Sequence, residues 1–512
     1  MKSLVVLRSS VILAALSSAV GATACERNPP TDPEPQGVRI VDYPRVMQVG
    51  DSFQLSIKVT GIDNPAVYYS PLVGDSPGAS VVGQVSETGL VVANSIGHFT
   101  IIVRSAMYGE KIDTAGITVD PPSSDRRLQF KSLMSNSRQT CGISIIGDTY
   151  CWGSNLKDLL GVPARSICVG AVRPPTTRSC NTLPEKLTGG MQFVLLGETG
   201  NALTDSGNVC ALTQQGDAFC WGSNSYGQLG NGTTTRSTTP IAIPGLRFSS
   251  LSVNAARTCG ITLAGELYCW GLINPPFGSE YPASRCFKED KCRVSPVSIA
   301  REVKFKSISL GAEHACAVAD DDEAYCWGDN SYGELGDSTT SARSDPAPVS
   351  GGLRFRSVTA GTAISCGVSL NGDGYCWGAD ENQQLGTSAS VQKDCNPFPL
   401  GSGPYLCART PVKIAIAEPL SEIRVLRSGT CALSTAGHIF CWGLIGQTSA
   451  ITATPARIDN SSYKSLVGAG DLCALDSQGF AYCWGYGFNG RFGNGFIGYS
   501  GVPTPVEGPR SP

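Results

Sequence analysis

Cys210-Ala-Leu-Thr-Gln-Gln-Gly-Asp-Ala-Phe-Cys220-Trp-Gly222 is the stretch on which the fold turns. The same device, a cysteine, nine residues and then Cys-Trp-Gly, recurs six more times: Cys141 with Cys151, Cys259 with Cys269, Cys316 with Cys326, Cys366 with Cys376, Cys431 with Cys441, and Cys473 with Cys483. All seven tryptophans of the 512-residue chain lie in these copies. Self-similarity at a period of roughly 40 to 70 residues marks a repeat architecture, and for β-rich copies a propeller or array.

A glycine stands six residues after the first cysteine of each copy (Gly147, Gly216, Gly265, Gly372, Gly437, Gly479), with Asp322 in the fourth. If the two cysteines face each other on antiparallel strands, symmetry leaves a three-residue loop whose last residue is this glycine, the left-handed slot of a type I turn with a G1 bulge. Asp is among the few other residues that tolerate it. Counting outward, the cysteines fall at a non-hydrogen-bonded pair, where Cα atoms approach to about 4.5 Å and a disulfide fits. The residue before the second cysteine is always aromatic (Tyr150, Phe219, Tyr268, Tyr325, Tyr375, Phe440, Tyr482). Strand alternation puts it with the tryptophan on the face away from the sulfurs.

Two further strands complete a copy. Upstream lies an aromatic-led run, Phe130-Lys-Ser-Leu, Phe248-Ser-Ser-Leu, Phe305-Lys-Ser-Ile and Phe355-Arg-Ser-Val, with looser versions at Phe193, Leu420 and Tyr463. Downstream lies a run marked by Pro184, Pro240, Pro296, Pro348, Pro411, Pro455 or Pro505, which suits an edge strand or a strand start. Four short strands repeated seven times over residues 126–508 predict an all-β fold, a seven-bladed β-propeller with disulfide-stapled blades.

The pattern Trp-Gly-x-Asn-x-x-Gly-x-Leu-Gly, complete at 221–230 and 327–336, resembles the repeat of the regulator of chromosome condensation family. It is frayed at 152–161, 377–386 and 484–493 and absent after Trp270 and Trp442; of the histidine that often precedes the family's hairpin only His314 remains. The resemblance covers about three quarters of the chain. It implies a propeller. It also implies chromatin binding and guanine nucleotide exchange on a small GTPase, partners that an exported, disulfide-dense chain does not meet, so that activity would pass by name alone.

Export is read from residues 1–24: Lys2 and Arg8, an apolar stretch over 11–20, then Ala22-Thr23-Ala24 before Cys25. Small residues ahead of a lone cysteine resemble a bacterial lipoprotein cleavage site, which places a lipid on Cys25; Ala-x-Ala also suits ordinary signal peptidase. Of 21 cysteines, fourteen are in the hairpins and six form local pairs, Cys168 with Cys180, Cys286 with Cys292 and Cys395 with Cys407, so Cys25 is the one left over. Such density implies an oxidising compartment, a bacterial outer membrane or cell surface, with a periplasmic or secreted location as the alternative. Residues 25–37 are a Pro-rich tether. Residues 38–120 carry short alternating strands whose landmarks, Val49-Gly-Asp51, Gly89-Leu-Val-Val-Ala93 and Gly97-His-Phe-Thr-Ile101, resemble the bacterial group 2 Ig-like domain, a small β-sandwich. Residues 121–125 form a linker and 509–512 a tail.

Chemistry has few candidates. The three histidines (His98, His314, His438) are dispersed, no Cys-x-x-Cys occurs, Asp320-Asp-Asp-Glu323 occupies a turn, and no glycine cluster forms a phosphate loop. Neither an enzyme, nor a cofactor, nor a metal is expected. A net charge of −3 excludes the broad basic surface of a nucleic-acid binder.

What stands out is loop length. Between Trp-Gly and the Pro-marked strand, copies 1, 3 and 5 carry long insertions, each with one extra cysteine pair. Equivalent loops emerge on one rim, where ordered loops on a rigid scaffold concentrate binding residues. The candidate ligand contacts are Arg165, Arg173 and Arg178 in the first insertion; Tyr281, Arg285, Phe287, Lys288, Lys291 and Arg293 in the third; and Tyr226, Tyr332 and Tyr405 on the same rim. The expected function is a non-enzymatic, monomeric cell-envelope platform, held to the membrane only by its lipid, with a protein as ligand and a glycan as second candidate. The alternatives are an enzyme inhibitor resembling the propeller that blocks β-lactamases, and a polysaccharide-acting enzyme, which needs carboxylates converging on the central opening.

Overall fold

In residues 1–124 the computed structural model describes the strands alone. From Arg127 to Gly508 it describes the chain apart from 137, 157–159, 170–176, 200–206, 274–283, 287–290, 388–391, 396–404, 427, 445–450, 470, 488 and the side chains of some strand residues. The chain divides into two compact units, Met1–Ser124 and Asp125–Pro512. Among the described residues there is no α-helix, and no helix is long and apolar enough to cross a membrane.

The first unit is built from short strands. Gly37–Asp42 pairs with Ser56–Thr60, Ser52–Gln54 and Gly83–Val85 flank Leu90–Ala93, and Ala66–Leu72, Gly97–Ser105 and Ile112–Asp120 run antiparallel in sequence. Val46–Gln48 adds in parallel to Ile112–Asp120, and Val5–Val6 pairs at the other edge of that sheet.

In the second unit the seven stapled hairpins sit in six sheets. The fourth copy shows the plan: an inner strand Phe305–Leu310, the hairpin His314–Ala319 and Ala324–Gly328, and an outer strand Arg343–Pro348, paired in chain order. Copies 2 and 3 share one nine-stranded sheet, because Ser237–Val253 runs without a break from the outer strand of one into the inner strand of the next. In the last sheet all four strands, Tyr463–Val467 to Tyr499–Pro505, come from the seventh copy. Sheet and repeat therefore share one phase.

Hairpin geometry follows from the spacing. Every cysteine pair is in register across its hairpin: Cys141 with Cys151, Cys210 with Cys220, Cys259 with Cys269, Cys316 with Cys326, Cys366 with Cys376, Cys431 with Cys441 and Cys473 with Cys483. A disulfide joins each pair, with Cα atoms 4.0–4.1 Å apart, somewhat closer than the spacing expected from strand geometry alone. All seven bridges are buried, Cys151, Cys376 and Cys483 at 0% exposure and Cys441 at 6%, so the sulfurs belong to the core rather than to the surface. The turn glycines have φ of +77° to +92°, and Asp322, in the same slot, has +71°. In six of the seven copies the residue that opens the turn locks it: Ser144, Thr213, Thr262, Ser369, Ser434 and Asp476 accept a hydrogen bond on the side-chain oxygen from the backbone N–H four residues on.

Consecutive copies interlock face to face. The sulfur face of one packs on the aromatic face of the next: Cys210 and Cys220 with Phe248 and Trp270, Cys259 and Cys269 with Phe305 and Trp327, Cys316 and Cys326 with Phe355 and Trp377. The other copies follow suit. Cys141 and Cys151 meet Phe193 and Trp221, Cys366 and Cys376 meet Leu420 and Trp442, and Cys431 and Cys441 meet Tyr463 and Trp484. Burying an indole removes about 150–250 Å², worth roughly 4–6 kcal/mol at ~25 cal/mol per Å². Each indole N–H also needs an acceptor. Trp221, Trp270, Trp377 and Trp442 donate to Leu160 O, Gln228 O, Glu334 O and Gln384 O of the preceding copy at 2.8–3.2 Å. The close approach explains the Leu-Gly of the motif, since a Cβ on Gly161, Gly230, Gly336 or Gly493 would lie 2.6–2.7 Å from an indole nitrogen. The motif asparagine folds the same loop: buried Asn224 accepts from Leu229 N–H and donates to Thr233 O and Thr235 O.

The array closes on itself with these same contacts. Trp152 donates to Arg491 O at 2.8 Å, Phe130 N–H donates to Gly479 O at 2.7 Å, and Gln129 bridges Phe480. Internal junctions carry the equivalent bond, Phe248 N–H to Gly216 O and Phe305 N–H to Gly265 O. First and last copies therefore meet as neighbours in a ring.

Two outcomes follow. Each staple closes a loop worth roughly 3 kcal/mol on the chain-entropy estimate, so reductant is expected to lower the melting temperature of the second unit by more than ~10 °C in scanning calorimetry; an unchanged melt excludes the staples as a main support. Gly230→Ala, crowded against Trp270 at φ +71°, is expected to cost at least ~2 kcal/mol in denaturant titration, and more than Gly351→Ala, which has φ +102° and nothing within 4 Å.

Candidate functional site

The loops between the third and fourth strands all emerge on one rim, and three carry the insertions. In copies 1, 3 and 5 the insertion adds a short fifth strand, Ser166–Val169, Ser284–Arg285 and Gln392–Cys395, outside the Pro-marked strand. That strand is thus not the sheet edge in these three copies. The second cysteine pairs sit here. Cys168–Cys180 ties the added strand to Thr177–Lys186 across a Cα separation of 5.8 Å, and Cys286–Cys292 closes the third insertion at 6.0 Å. Cys407 is disulfide-bonded; the side chain of Cys395 lies outside the described residues.

The candidate contacts take different places. Arg165 is exposed and paired with Glu185 at 3.4 Å. Lys291 is exposed, whereas Arg293 beside it is 4% exposed. Tyr226 and Tyr332 are half-buried, their backbone N–H groups held by Gln228 Oε1 and Glu334 Oε2. Arg173, Tyr281, Phe287 and Lys288, and the side chains of Arg285 and Tyr405, lie outside the described residues. Arg178 is half-buried near Arg138, which in turn is close to Arg491. Burial first, and then those two neighbours, hold the Arg138 guanidinium below its usual range. Arg491 is itself buried and paired with buried Asp471 at 2.6 Å. Arg138 and Arg491 were missed from sequence because they stand far from Arg178 in the chain. The signal was Arg491 occupying the motif position of Gln228 and Gln384.

A cavity of about 260 Å³ opens at the centre, lined by the inner strands of all seven copies. Its wall carries Glu198 and Arg424, 3.7 Å apart, and Arg424 also reaches Glu422 at 3.4 Å and donates to Leu466 O. Burial holds the Glu422 carboxyl above the usual carboxylate range, against the pull of Arg424. One carboxylate, Glu198, lines the opening, and the Arg424 guanidinium stands between it and the more buried Glu422. The buried hydroxyl oxygens of Ser132, Ser250 and Ser307, on the same wall, have no hydrogen-bond partner among the described residues.

One buried group imitates a catalytic dyad. His314 Nε2 lies 2.8 Å from Ser365 Oγ, which donates to Glu334 O. Ser365 and His314 are fully buried, and burial pushes the imidazole down to about 3. Thr258 and Thr430 make the same bond to Gln228 O and Gln384 O in other copies, so the hydroxyl is a repeat feature rather than a nucleophile. Among the described residues no cluster of His, Cys, Asp or Glu suits a metal ion.

The regulator of chromosome condensation (RCC1) repeat model matches residues 215–260, 305–334 and 321–368. The chain carries repeats of this type. It is 28% identical over 217 residues to the E3 ubiquitin-protein ligase HERC2 of Homo sapiens, covering 42% of this chain and 4% of that protein. It is 25% identical over 134 residues to the ultraviolet-B receptor UVR8 of Arabidopsis thaliana, covering 25% of this chain and 29% of the receptor. The chain thus spans a small part of these relatives. Among solved structures, human WBSCR16 superimposes with a TM-score of 0.57 at 18% identity over 70% of this chain and 93% of that one. Prp20p of Saccharomyces cerevisiae, described with its binding properties to Gsp1p and histones, gives 0.55 at 18% over 74% and 87%. The fold is that of an RCC1-like propeller.

Glu334 generates a pH prediction. It stands where its sister copies have Gln228 and Gln384, is 1% exposed, and burial pushes its carboxyl up to about 8. A raised carboxyl keeps its proton in the fold while the unfolded chain loses one, so stability falls as pH rises from about 4.5 to 8, by at most ~1.4 kcal/mol per pH unit. Glu334→Gln is expected to flatten that slope in denaturant titrations at about pH 5 and pH 8.

Proposed function

We propose that this protein is a non-enzymatic binding platform of the bacterial cell envelope: a seven-bladed propeller carried on an Ig-like stalk, exported by residues 1–24 and anchored through a lipid on Cys25. Its ligand is another protein, taken by the insertion rim. The observation that carries the reading is the placement of three insertions on one rim, two of them closed by their own disulfides in the described residues. A staple across a surface loop removes the conformational entropy that a flexible loop loses on binding, which is worth maintaining where shape is recognised. The protein partners named for Prp20p support a protein over a glycan. Nucleotide exchange does not transfer at 18% identity and a net charge of −3, with export separating the chain from nuclear partners.

The enzyme reading draws on Glu198 at the central opening and on Glu422 behind it. Arg424 between them holds both by charge, and Glu422 is further engaged by Leu466 N–H, so neither is presented as a free acid or base. An inhibitor of the β-lactamase-blocking type would use the same insertion rim, with an enzyme as the captured protein.

The test is affinity capture from envelope extracts with the full mature chain and with a Cys286→Ser/Cys292→Ser variant that frees the third insertion. Capture of a defined protein that falls at least tenfold in the variant, with an unchanged melting temperature, is the expected result. Equal recovery from both removes the insertion rim as the contact. Mass spectrometry is expected to find a diacylglyceryl group on Cys25; an unmodified thiol overturns the anchor.

A further inference from the structure

In copy 2 the inner strand breaks where those of the other copies run on. Leu195–Leu196 stays with its own hairpin, whereas Glu198–Thr199 crosses to pair in parallel with Ser252 and Val253 of copy 3. Gly197 suits the crossing. Its N–H donates to Cys210 O, and a Cβ there would lie 3.3 Å from that same oxygen and 3.4 Å from Leu251 Cβ. The break takes Glu198 out of its own sheet and toward Arg424, on the inner strand Leu420–Val425 of copy 6. Copies 2 and 6 are not neighbours in the ring, so the two charges meet across the central opening.

Arg424 is held in place from behind. Its Nε donates to Leu466 O and its Nη2 to Glu422 Oε2, and that carboxylate also accepts from Leu466 N–H. These bonds fix the guanidinium and leave its Nη1 without a hydrogen bond among the described residues, on a side chain that lines the cavity. Glu198 stands 3.7 Å from Nη2, with its side chain 53% exposed. That contact is too long for a hydrogen bond, and Glu198 makes none among the described residues. The two groups therefore attract by charge while both keep hydrogen-bonding capacity unused. No other charged residue lines the cavity. The rest of the lining is aliphatic, with Leu195, Leu251, Ile308 and Val425 in it, or carries small hydroxyls, and no aromatic ring belongs to it. The inner strands of copies 1, 4, 5, 6 and 7 are also the edges of their sheets, so they present backbone N–H and C=O groups to the opening.

We propose that the central cavity binds a single free α-amino acid with an aliphatic side chain. The carboxylate of the ligand accepts from Arg424 Nη1, its ammonium donates to Glu198, and its side chain packs on the aliphatic wall. One cation and one anion 3.7 Å apart match a zwitterion, which carries both charges on one carbon. A simple anion meets the like charge of Glu198 and a simple cation that of Arg424, a cost the zwitterion avoids. A sugar finds no ring on which to stack. The volume of about 260 Å³ lies below the roughly 300–1,000 Å³ of pockets for drug-sized ligands, so one small molecule fills it and a peptide chain does not. Binding exchanges one long charge contact for two charge-assisted hydrogen bonds, the stronger kind.

The site is distinct from the insertion rim, and its test is separable from the test of that rim. L-Leucine is titrated into the full oxidised chain by isothermal calorimetry, beside isocaproate, which lacks the ammonium, isoamylamine, which lacks the carboxylate, and glycine, which lacks the side chain. Leucine is expected to saturate one site per chain below about 10 mM, and each analogue to bind at least tenfold more weakly. Glu198→Gln, at an exposed position, is expected to weaken leucine at least tenfold at an unchanged melting temperature, while isocaproate binds no more weakly than to the unaltered chain. A general loss of structure would weaken both ligands together. The Cys286→Ser/Cys292→Ser variant is expected to bind leucine within about twofold of the unaltered chain, so the failure of either site leaves the other standing. No saturation by leucine at about 10 mM, equal binding of isocaproate, isoamylamine or glycine, or an unaffected Glu198→Gln variant overturns the proposal.

Discussion

Everything in the second unit depends on how one sheet meets the next. A tryptophan from each hairpin enters the neighbouring copy, and four of them place their N–H on a backbone carbonyl of a loop that turns at Leu-Gly. The contact is bidirectional in its demands. The indole needs a buried acceptor, because an unpaired N–H in an apolar site costs about 1–3 kcal/mol, and the acceptor loop needs a glycine, because a Cβ there would strike the ring. The disulfide on the other face of the same hairpin provides a flat, polarizable surface against which the following aromatic face packs. Since the junction between the last copy and the first repeats these bonds, closure requires no strand exchanged between the two ends of the ring.

A scaffold held at its junctions leaves its loops free to vary. Copies 2 and 4 keep the short Trp-Gly-x-Asn loop with its asparagine cap, while copies 1, 3 and 5 extend the same loop into an added strand and hold it with further sulfur bonds. Variation of another kind appears at buried positions. Glu334 and Arg491 replace a glutamine found at Gln228 and Gln384, and each brings a cost that its surroundings offset: a carboxyl kept protonated by burial, and a guanidinium set against Asp471. The starts of the inner strands differ again: a bulge common to six of them carries an exposed lysine or arginine in four copies and, in two, a serine that donates to a backbone carbonyl.

How far residues alone reach is clear from particular positions. The three-residue turns, the in-register cysteine pairs from Cys141 and Cys151 to Cys473 and Cys483, Asp322 in a left-handed slot and the pairing of each aromatic with its tryptophan were all legible, because each depends on spacing within about a dozen residues. The fifth strands were not, since a short polar insertion carries no period, and their partners are defined only by the strand they happen to lie against. Nor was the grouping of Arg138, Arg178 and Arg491, or of Glu198, Glu422 and Arg424, residues drawn from copies far apart in the chain and brought together by ring geometry.

Lys131 shows where the division falls. Strict alternation from Phe130 would fix its pairing, but one inserted residue shifts the register between Phe130 and Ser132 and leaves Lys131 exposed. Local covalent and hydrogen-bond chemistry, repeated seven times, was enough to determine the hairpin, its turn, its staple and the two unlike faces of each sheet. The number of junctions that close, which loops share a rim and which charges meet across the opening were decided by the ring itself, because those distances join residues the chain separates by scores of positions and depend on the summed packing of every copy between them.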